Sequence, residues 1–448
     1  MFRRSFLQAG SLALGGLTLP ELLKRRAEAS PTTGPSDTAV ILIWLQGGPS
    51  HMETYDLKPE APAEYRGLCR PIATVTPGMN ICEHLPRHAK VADRFNLIRS
   101  ISHQFANHAG GAGRFLSGHN PLRPLDPLAQ HPCLGPVVSR MLEGRRDPAV
   151  PRYVGSASNV YGGGAANLGA AYLPFVVAGD PNADNFQVNN LSLAANVKDR
   201  LDDRATLLSA FDQLCENIDR TRAMDTMDKY NQEAINLLTS GRARDAFDIS
   251  QEDPKLREKY GRHKWGQRAL LARRLVEAGV SFVTMQMQNP NIPDAIGNWD
   301  IHAVNGHLFK DTAARLPVFD AAVAALVEDL YDRGLDKRVM LIVSGEFGRT
   351  PRINPQKGTR SGVIQPGRDH YPHAMSVLVA GGGMPTGQVI GSTTAKGERP
   401  LDRKLDPNDL LATIYRHLGI DYRVTVPDNA GRPTPLIPTG EPIRELLA

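Results

Sequence analysis

The chain has 448 residues, of which 41% carry hydrophobic side chains, and its formal net charge is +5. Residues 1–29 contain five basic and two acidic side chains, so a chain without them would carry only +2, with both signs interspersed, which excludes a basic nucleic-acid-binding stripe. After this leader no stretch offers the roughly 18 consecutive apolar residues that a membrane-spanning helix needs, which excludes an integral membrane segment.

The first 29 residues predict an export signal. Arg3 and Arg4 precede a weakly apolar segment that contains glycine, and the small residues at 27–29 (AEA) offer a cleavage site. An uncleaved amphipathic anchor is the alternative, but helix-breaking glycines and a proline argue against it. We therefore predict a twin-arginine signal peptide over residues 1–29, a mature chain that begins near Ser30, and export to the periplasm or the extracellular space.

The remaining residues, 30–448, alternate apolar runs with amphipathic stretches. Runs typical of buried strands occur at 39–46, 95–102, 280–288, 339–344 and 375–383, with shorter ones at 151–156 and 174–177. Helical spacing predicts a mostly helical region at 191–279 (with stretches at 207–218, 230–238 and 255–279), a helix at roughly 311–333 and a capped helix at 406–421. Residues 387–397 predict a hairpin. We predict a single domain of α/β class, with a central, mostly parallel sheet flanked by helices.

Polar side chains cluster where the apolar runs end. The candidates are His51 and Glu53 after the first run, His108 and Arg114 after the second, Asp300 and His302 after 280–288, and Glu346, Arg349 and His370 after 339–344. Because ligands bind outside the carboxyl ends of strands in an open α/β sheet, we expect these groups to form a site rather than solvated loops. The glycines that follow His108 also predict a strand-to-helix turn whose N–H groups face an anion.

The residue types at these positions point to a divalent metal. Mixed carboxylate and imidazole ligands suit zinc or manganese, whereas calcium alone would prefer oxygen ligands only. The short spacing between Asp300 and His302, with His370 some seventy residues later, suits a catalytic site with three protein ligands. We expect Glu346, His51 and Glu53 to be further ligands of a zinc, manganese or calcium ion.

Three arginines near these ligands predict an anionic substrate. Arg114, Arg349 and Arg368 could together supply the cationic clamp that phosphate or sulfate esters require. A metal beside them would lower the pKa of a water molecule and polarise the ester oxygen.

A set of longer motifs resembles a known family. These are the twin-arginine leader and the stretches WLQGGPSHMETYDLKP, NHAGGAGRFLSGHNP, GNWDIH, SGEFGRTPRIN and GRDHYPHAMSVLVAGGG, which are spread over almost the whole mature chain. In this combination they resemble the domain-of-unknown-function 1501 family of exported bacterial proteins. That family is similar to the alkaline phosphatase/sulfatase superfamily, and the resemblance implies an alkaline-phosphatase-like fold with one or two divalent metals at the carboxyl edge of the sheet.

The superfamily pattern carries over to this chain in part. Its S-D-H-G motif corresponds to SGEFG, so that Glu346 replaces a ligand aspartate and Phe347 a ligand histidine. His370 resembles the late histidine ligand, and Asp300 with His302 resembles the aspartate–histidine pair of the other metal site. The position of the nucleophilic cysteine or serine is taken by His108.

Two functions follow from these residues. The first is an exported metal-dependent hydrolase of phosphate or sulfate esters on a small molecule or polysaccharide. Its nucleophile would be water activated by the metal, or His108. The second is a catalytically degenerate relative that keeps the fold and the cleft as a binding or accessory protein of the cell envelope, which the loss of the usual nucleophile favours. Fold alone does not decide between them.

Overall fold

The computed structural model describes residues 37–147, 150–157, 160–188, 241–289 and 291–447. The predicted signal peptide and the predicted helical stretches at 207–218 and 230–238 lie outside the described residues. Within the described ranges, no helix combines the length and the apolar character needed to cross a bilayer.

The described part of the chain contains these strands and helices. The strands are β1 (Ala39–Trp44), β2 (Pro71–Ala73), β3 (Asn80–Cys82), β4 (Phe95–Ile101), β5 (Tyr153–Gly155), β6 (Phe175–Val176), β7 (Phe282–Gln286), β8 (Val339–Ser344), β9 (Gly348–Arg349), β10 (Gln356–Lys357), β11 (Ile364–Gln365), β12 (His370–Tyr371), β13 (Met375–Gly381), β14 (Val389–Ile390), β15 (Ser392–Thr393), β16 (Pro400–Asp402), β17 (Thr425–Pro427) and β18 (Pro433–Pro435). The helices are α1 (Ala63–Arg66), α2 (Pro86–Lys90), α3 (His108–Ser117), α4 (Leu134–Met141), α5 (Gly241–Phe247), α6 (Pro254–Tyr260), α7 (Lys264–Glu277), α8 (Leu308–Asp332) and α9 (Pro407–His417).

Eight strands form the central sheet in the order β14-β4-β13-β8-β1-β7-β5-β6. Neighbours from β8 through β1, β7 and β5 to β6 pair in parallel, and β14 pairs in parallel with β4. Only β13 is reversed, since it pairs antiparallel with both β8 and β4. The predicted α/β class with a mostly parallel sheet is therefore confirmed. The reversal also means that β13 starts at the edge where β1, β4, β7 and β8 end.

Helices cover both faces of this sheet, which is why β1 is apolar at every position. Ile41 and Ile43 pack in the cluster that contains α7 and α8, whereas Leu42 and Trp44 pack in the cluster that contains α3, α4 and α9. All four side chains are buried. A strand covered on two sides has no solvent face, so its sequence shows a continuous apolar run rather than alternation.

Two predicted elements are replaced by different ones in the structure. The helix predicted at 255–279 is two helices, because α6 ends before Gly261 and α7 begins after His263, whose side chain accepts the N–H of Gly266. The hairpin predicted at 387–397 is wrong: β14 joins the central sheet beside β4, whereas β15 pairs with β16.

The glycine-rich stretch after β4 is helix rather than a turn. Asn107 caps α3 by accepting the N–H of Gly110 at 2.7 Å, and the following glycines lie inside the helix. A Cβ at Gly111 would stand 2.9 Å from the ring of Phe347. Close packing of α3 on the loop after β8 therefore accounts for Gly111, and the predicted open anion-binding turn is not formed.

Two loops at the carboxyl edge of the sheet run side by side. The N–H of Leu308 donates to the carbonyl of Pro366 at 3.0 Å, and a Cβ added to Gly367 would overlap the backbone of Ala303. This backbone contact brings the loop that carries Asp300 against the loop that leads to His370.

We expect Gly367→Ala to destabilise the protein. The added methyl group would meet the backbone of Ala303, which cannot move aside as a side chain can, so overpacking should cost at least about 1–3 kcal/mol. Urea unfolding measures this cost. Gly113→Ala is the matched control, because its Cβ would have ordinary contact, 3.6 Å from the Gly162 carbonyl oxygen, and alanine favours a helix. Equal stability of the two variants would contradict the role assigned to the contact between the loops.

Candidate functional site

Three side chains meet at the carboxyl edge of the sheet. Asp300 Oδ1 lies 2.8 Å from Nε2 of His370 and 2.9 Å from Nε2 of His302, and these two nitrogens are 3.0 Å apart. Asp300 and His302 follow β7, whereas His370 begins β12 and pairs across a short ribbon with Arg349. The structure thus brings together residues that are about seventy positions apart in the chain.

The second ring nitrogen of each histidine has its own partner. His302 Nδ1 is 2.8 Å from Asp369 Oδ1, and His370 Nδ1 is 2.7 Å from the carbonyl oxygen of Ala106. A carbonyl oxygen and an ionised carboxylate can accept a hydrogen bond but cannot donate one, so each Nδ1 carries the hydrogen. In a neutral ring the Nε2 lone pair then faces Asp300, so three acceptor atoms meet. The donor beside them is the guanidinium of Arg349, whose Nη2 lies 2.6 Å from Asp300 Oδ1 and whose Nη1 lies 3.4 Å from His302 Nε2.

This arrangement fits a divalent cation. Metal-binding histidines donate their second N–H to a carboxylate or a carbonyl, as His302 and His370 do. Ligand atoms at 2.0–2.1 Å from a tetrahedral zinc ion are about 3.3 Å apart, close to the 2.8–3.0 Å found between these atoms. His108 lies beside these ligands, since ligand-type atoms of His108, Asp300 and His370 all lie within 4.8 Å of one another.

Asp300 is the negatively charged centre of the cluster that it forms with His108, His302 and His370. Although burial acts to raise its pKa, hydrogen bonds from His108, His302 and His370 hold the pKa well below the usual range for an aspartate. Arg349 Nη2 adds a contact to Oδ1 at 2.6 Å. The pKa of His302 is raised in turn, chiefly by its bond to Asp300. In the absence of a metal, a proton on His302 is the competing way to neutralise the cluster.

Glu346 belongs to the same site through His108. His108 Nδ1 is 2.7 Å from Glu346 Oε1, and its Nε2 is 3.3 Å from Asp300 Oδ2. Burial acts to lower the pKa of His108, but its bonds to the two carboxylates raise it to about 9. Glu346 is fully buried; Oε1 also accepts from Gln46 Nε2 at 3.1 Å and Gly47 N at 2.9 Å, whereas Oε2 has no hydrogen-bond partner among the described residues.

The three arginines expected to bind an anion are instead occupied by the protein. Arg114 binds Asp406 at 2.5 Å and Asn408 at 2.8 Å, so it joins α3 to the cap of α9 and does not enter the cluster. Arg368 forms a buried ion pair with Glu53 at 2.6 Å. Arg349 lies beside Asp300, but its other nitrogens donate to backbone carbonyls, and burial lowers its pKa. The cationic clamp predicted from the sequence is not formed by these side chains.

His51 and Glu53 make contacts elsewhere. Glu53 is engaged by Arg368 and by the hydroxyl of Ser50. His51 Nε2 is 2.9 Å from the carbonyl oxygen of Gly397, and burial lowers the pKa of the ring, so the neutral form donates this bond. Among the predicted ligands the structure therefore groups Asp300, His302, Glu346 and His370, together with His108 and Arg349, and leaves His51 and Glu53 outside.

Two residues of the site were not among the predicted site residues. Asp369 orients His302, and the available signal was its position directly before His370. Gln46 holds Glu346, and the signal was a polar residue at the end of an otherwise apolar strand. Both act through neighbouring side chains, which is a role that residue type alone does not reveal.

A groove of about 800 Å³ adjoins the cluster. It is lined by Gln46, His108, Pro127, Leu128, Ala129, Val160, Tyr161, Gly163, Gly164, Ala165, Ala166, Gly169, Ala170, Leu173, Gln286, Gln288 and Asn298. His108 and Gln46 belong to both the groove and the cluster. A molecule bound in the groove would therefore touch the side chain that bridges Asp300 and Glu346.

Several solved structures are similar to this chain in fold. A sulfatase from Pseudoalteromonas sp. is 12% identical, with 90% of this chain and 71% of that chain covered and a TM-score of 0.37. Alkaline phosphatase from the Antarctic bacterium TAB5 is 11% identical, with coverage of 86% and 98% and a TM-score of 0.34. A phosphonate monoester hydrolase of Agrobacterium radiobacter is 11% identical, with coverage of 90% and 78% and a TM-score of 0.35.

Sequence comparison gives a sharper result for the family than for individual proteins. No curated protein matches the chain significantly in sequence. One family model, described as a protein of unknown function (DUF1501), matches residues 37–447, which is nearly the whole chain. The chain therefore belongs to the DUF1501 family.

Proposed function

We propose that this protein is a metal-dependent hydrolase of phosphate or sulfate esters. One observation carries the proposal: Asp300 Oδ1 and the Nε2 atoms of His302 and His370 lie within 3.0 Å of one another, with the other nitrogen of each ring bound to an acceptor. Arg349 donates to Asp300 Oδ1, but the two Nε2 atoms, 3.0 Å apart, still need a metal ion or a proton between them. A groove beside them gives a substrate access to the same place.

The residues of the site would have different roles in this reaction. A bound divalent ion would supply Lewis acidity, which activates water and neutralises charge on an ester oxygen. Asp300, His302 and His370 would hold the ion, and Asp369 would keep His302 oriented by accepting its Nδ1–H. His108, held between two carboxylates and facing the groove, is placed to transfer a proton at Nε2 to or from a bound ester.

A binding or accessory protein is the second candidate, and a specific observation favours it. Arg114, Arg349 and Arg368 all donate to protein groups, so they offer no ready clamp for an anionic ester. Within the described residues, no serine, threonine or cysteine side chain hydrogen-bonds to Asp300, His302 or His370. Hydrolysis therefore depends on the metal, and a protein without metal would bind ligands without turning them over.

Metal content tests the proposal directly. We expect the purified protein to bind zinc or manganese, and Asp300→Asn to weaken that binding by more than the roughly 10–100-fold seen when only the outer shell of a site is damaged, because a direct ligand is removed. Isothermal titration with each ion measures the affinity. Hydrolysis of 4-nitrophenyl phosphate and 4-nitrophenyl sulfate should be lost together with the metal.

Asp402→Asn is the matched control, since Asp402 is exposed and lies outside the cluster. It should bind metal and hydrolyse both esters as the unmodified protein does. Unchanged metal affinity in Asp300→Asn would contradict the ligand assignment. Tight metal binding without hydrolysis of any tested ester would leave the binding-protein alternative in place.

Metal affinity should rise with pH. The ligand histidines bind metal only when Nε2 is unprotonated, and the raised pKa of His302 means that its proton competes with the metal up to a higher pH than in a free histidine. In the metal-free protein the same raised pKa stabilises the fold at low pH, and this contribution is lost as pH rises through the folded-state pKa. We expect affinity to increase by up to about tenfold per pH unit for each proton released, between pH 6 and 8. Titration in two buffers of different ionisation enthalpy counts the protons, and an affinity independent of pH would argue against histidine ligands.

We also propose export by the twin-arginine route, on the basis of Arg3 and Arg4 and the segment that follows them. Replacement of both arginines by lysine keeps the charge but should leave the precursor in the cytoplasm. Cell fractionation measures the distribution, and replacement of Arg25 and Arg26 by lysine is the control. Unchanged export of the Arg3/Arg4 variant would show that another route is used.

A further inference from the structure

The groove beside the cluster is nearly free of charged side chains, although the site is expected to bind an anionic ester. Among the described residues that line it there is no lysine, arginine, aspartate or glutamate, and His108 is the only titratable side chain apart from the phenol of Tyr161. Its volume of about 800 Å³ lies within the range of ~300–1,000 Å³ typical of small-molecule pockets. Charge is therefore confined to the end of the groove where His108 meets the cluster.

Four side-chain amides form the polar part of the groove: Gln46, Gln286, Gln288 and Asn298. An amide both donates and accepts hydrogen bonds, so it matches a hydroxyl or a neutral amide group better than a charged one. Three of these amides are already positioned, because Gln288 Nε2 donates to Gln286 Oε1 at 3.0 Å and Gln46 is held by Trp44 and Glu346. Preorganised amides lose little entropy when a ligand binds.

The other residues that line the groove are mostly apolar, and many of them are small. Glycines and alanines of residues 163–170 leave space, and Tyr161 and Leu128 border it with half or more of their surface exposed. A flat aromatic ring with a polar hydroxyl suits a ligand that has both C–H faces and hydroxyl groups. A ring with this combination is the unit of a saccharide.

A neutral peptide is the competing ligand, because it also carries donors and acceptors. Peptides commonly bind by adding a strand to an exposed sheet edge. The strands that end in the groove, β1 and β7, are interior strands paired on both sides, so they offer no free edge. The amides and the aromatic ring therefore favour a sugar chain.

We propose that the groove binds an uncharged, hydroxyl-bearing chain of the oligosaccharide class, with Tyr161 and Gln288 as specificity-determining residues and the ester-bearing end of the chain at His108. The chemistry assigned to that end rests on the proposed function, whereas binding along the groove does not depend on it. It implies that sugars with charged groups away from the ester are excluded, because a buried charge here would find no partner.

Binding to an array of neutral and anionic glycans tests this proposal. We expect the full-length protein to bind neutral glycans and not polyuronic acids, with affinity reduced at least about tenfold in Tyr161→Ala and in Gln288→Ala. Leu122→Ala is the matched control, since Leu122 is 88% exposed and does not line the groove. Thermal unfolding of all three variants establishes that their folds are retained.

Several outcomes would overturn the inference. These are binding only to charged glycans, binding to neutral peptides in place of glycans, no glycan binding at all, or groove variants that bind as well as the Leu122→Ala control. Asp300→Asn separates this inference from the proposed function, because it should lose metal and hydrolysis but keep glycan binding. A variant that loses hydrolysis but keeps glycan binding would thus report on the metal cluster. A variant that loses glycan binding but keeps hydrolysis would report on the groove.

Discussion

The carboxylate of Asp300 is the contact on which the site depends. It is reached by His108 from α3, by His302 from its own loop, by His370 from the approach to β13 and by Arg349 from β9. These groups come from four separate stretches of the chain, and the lone pairs of two imidazoles and one carboxylate would repel one another without positive charge among them. Arg349 supplies part of that charge at Asp300, and a proton or a metal ion between the two imidazoles would supply the rest. This need links the fold at this edge to the proposed chemistry.

The buried arginines explain why the metal would matter so much. Each of them neutralises or caps something within the protein: Arg368 pairs with Glu53, Arg114 holds α9, and Arg349 joins β9 to the loop that carries Asp300. A buried charge without a partner is costly, so such arginines cannot turn toward a substrate without destabilising the fold. In the proposed function, positive charge for an anionic ester would then come from a bound metal ion and from His108. The groove shows the same separation of charged from neutral groups, because His108 is charged and the other polar side chains that line it are mainly amides.

Much of the fold could be predicted from local sequence. The runs that form β1, β4, β7, β8 and β13 are apolar at nearly every position because helices cover both faces of the sheet, and that pattern is visible without a structure. The cap of α9 was equally visible, since Asp406 and Pro407 are suited to a helix start. The hairpin at 387–397 failed because short strands carry little periodicity and their partners lie far away in the chain.

The sequence by itself determined which residues stand at the ends of the buried strands, and so which carboxylates, imidazoles and guanidinium groups could reach one edge of a parallel sheet. Only the tertiary structure decided how they pair. His51, Glu53 and Arg114 have the same residue types and similar positions as their counterparts in the cluster, but they are satisfied by other partners. Asp369 and Gln46, which were not among the predicted site residues, orient the site instead. The physical reason is that residue type sets what a buried polar group requires, while the loop packing, such as the contact of Gly367 with Ala303, sets which group meets that requirement.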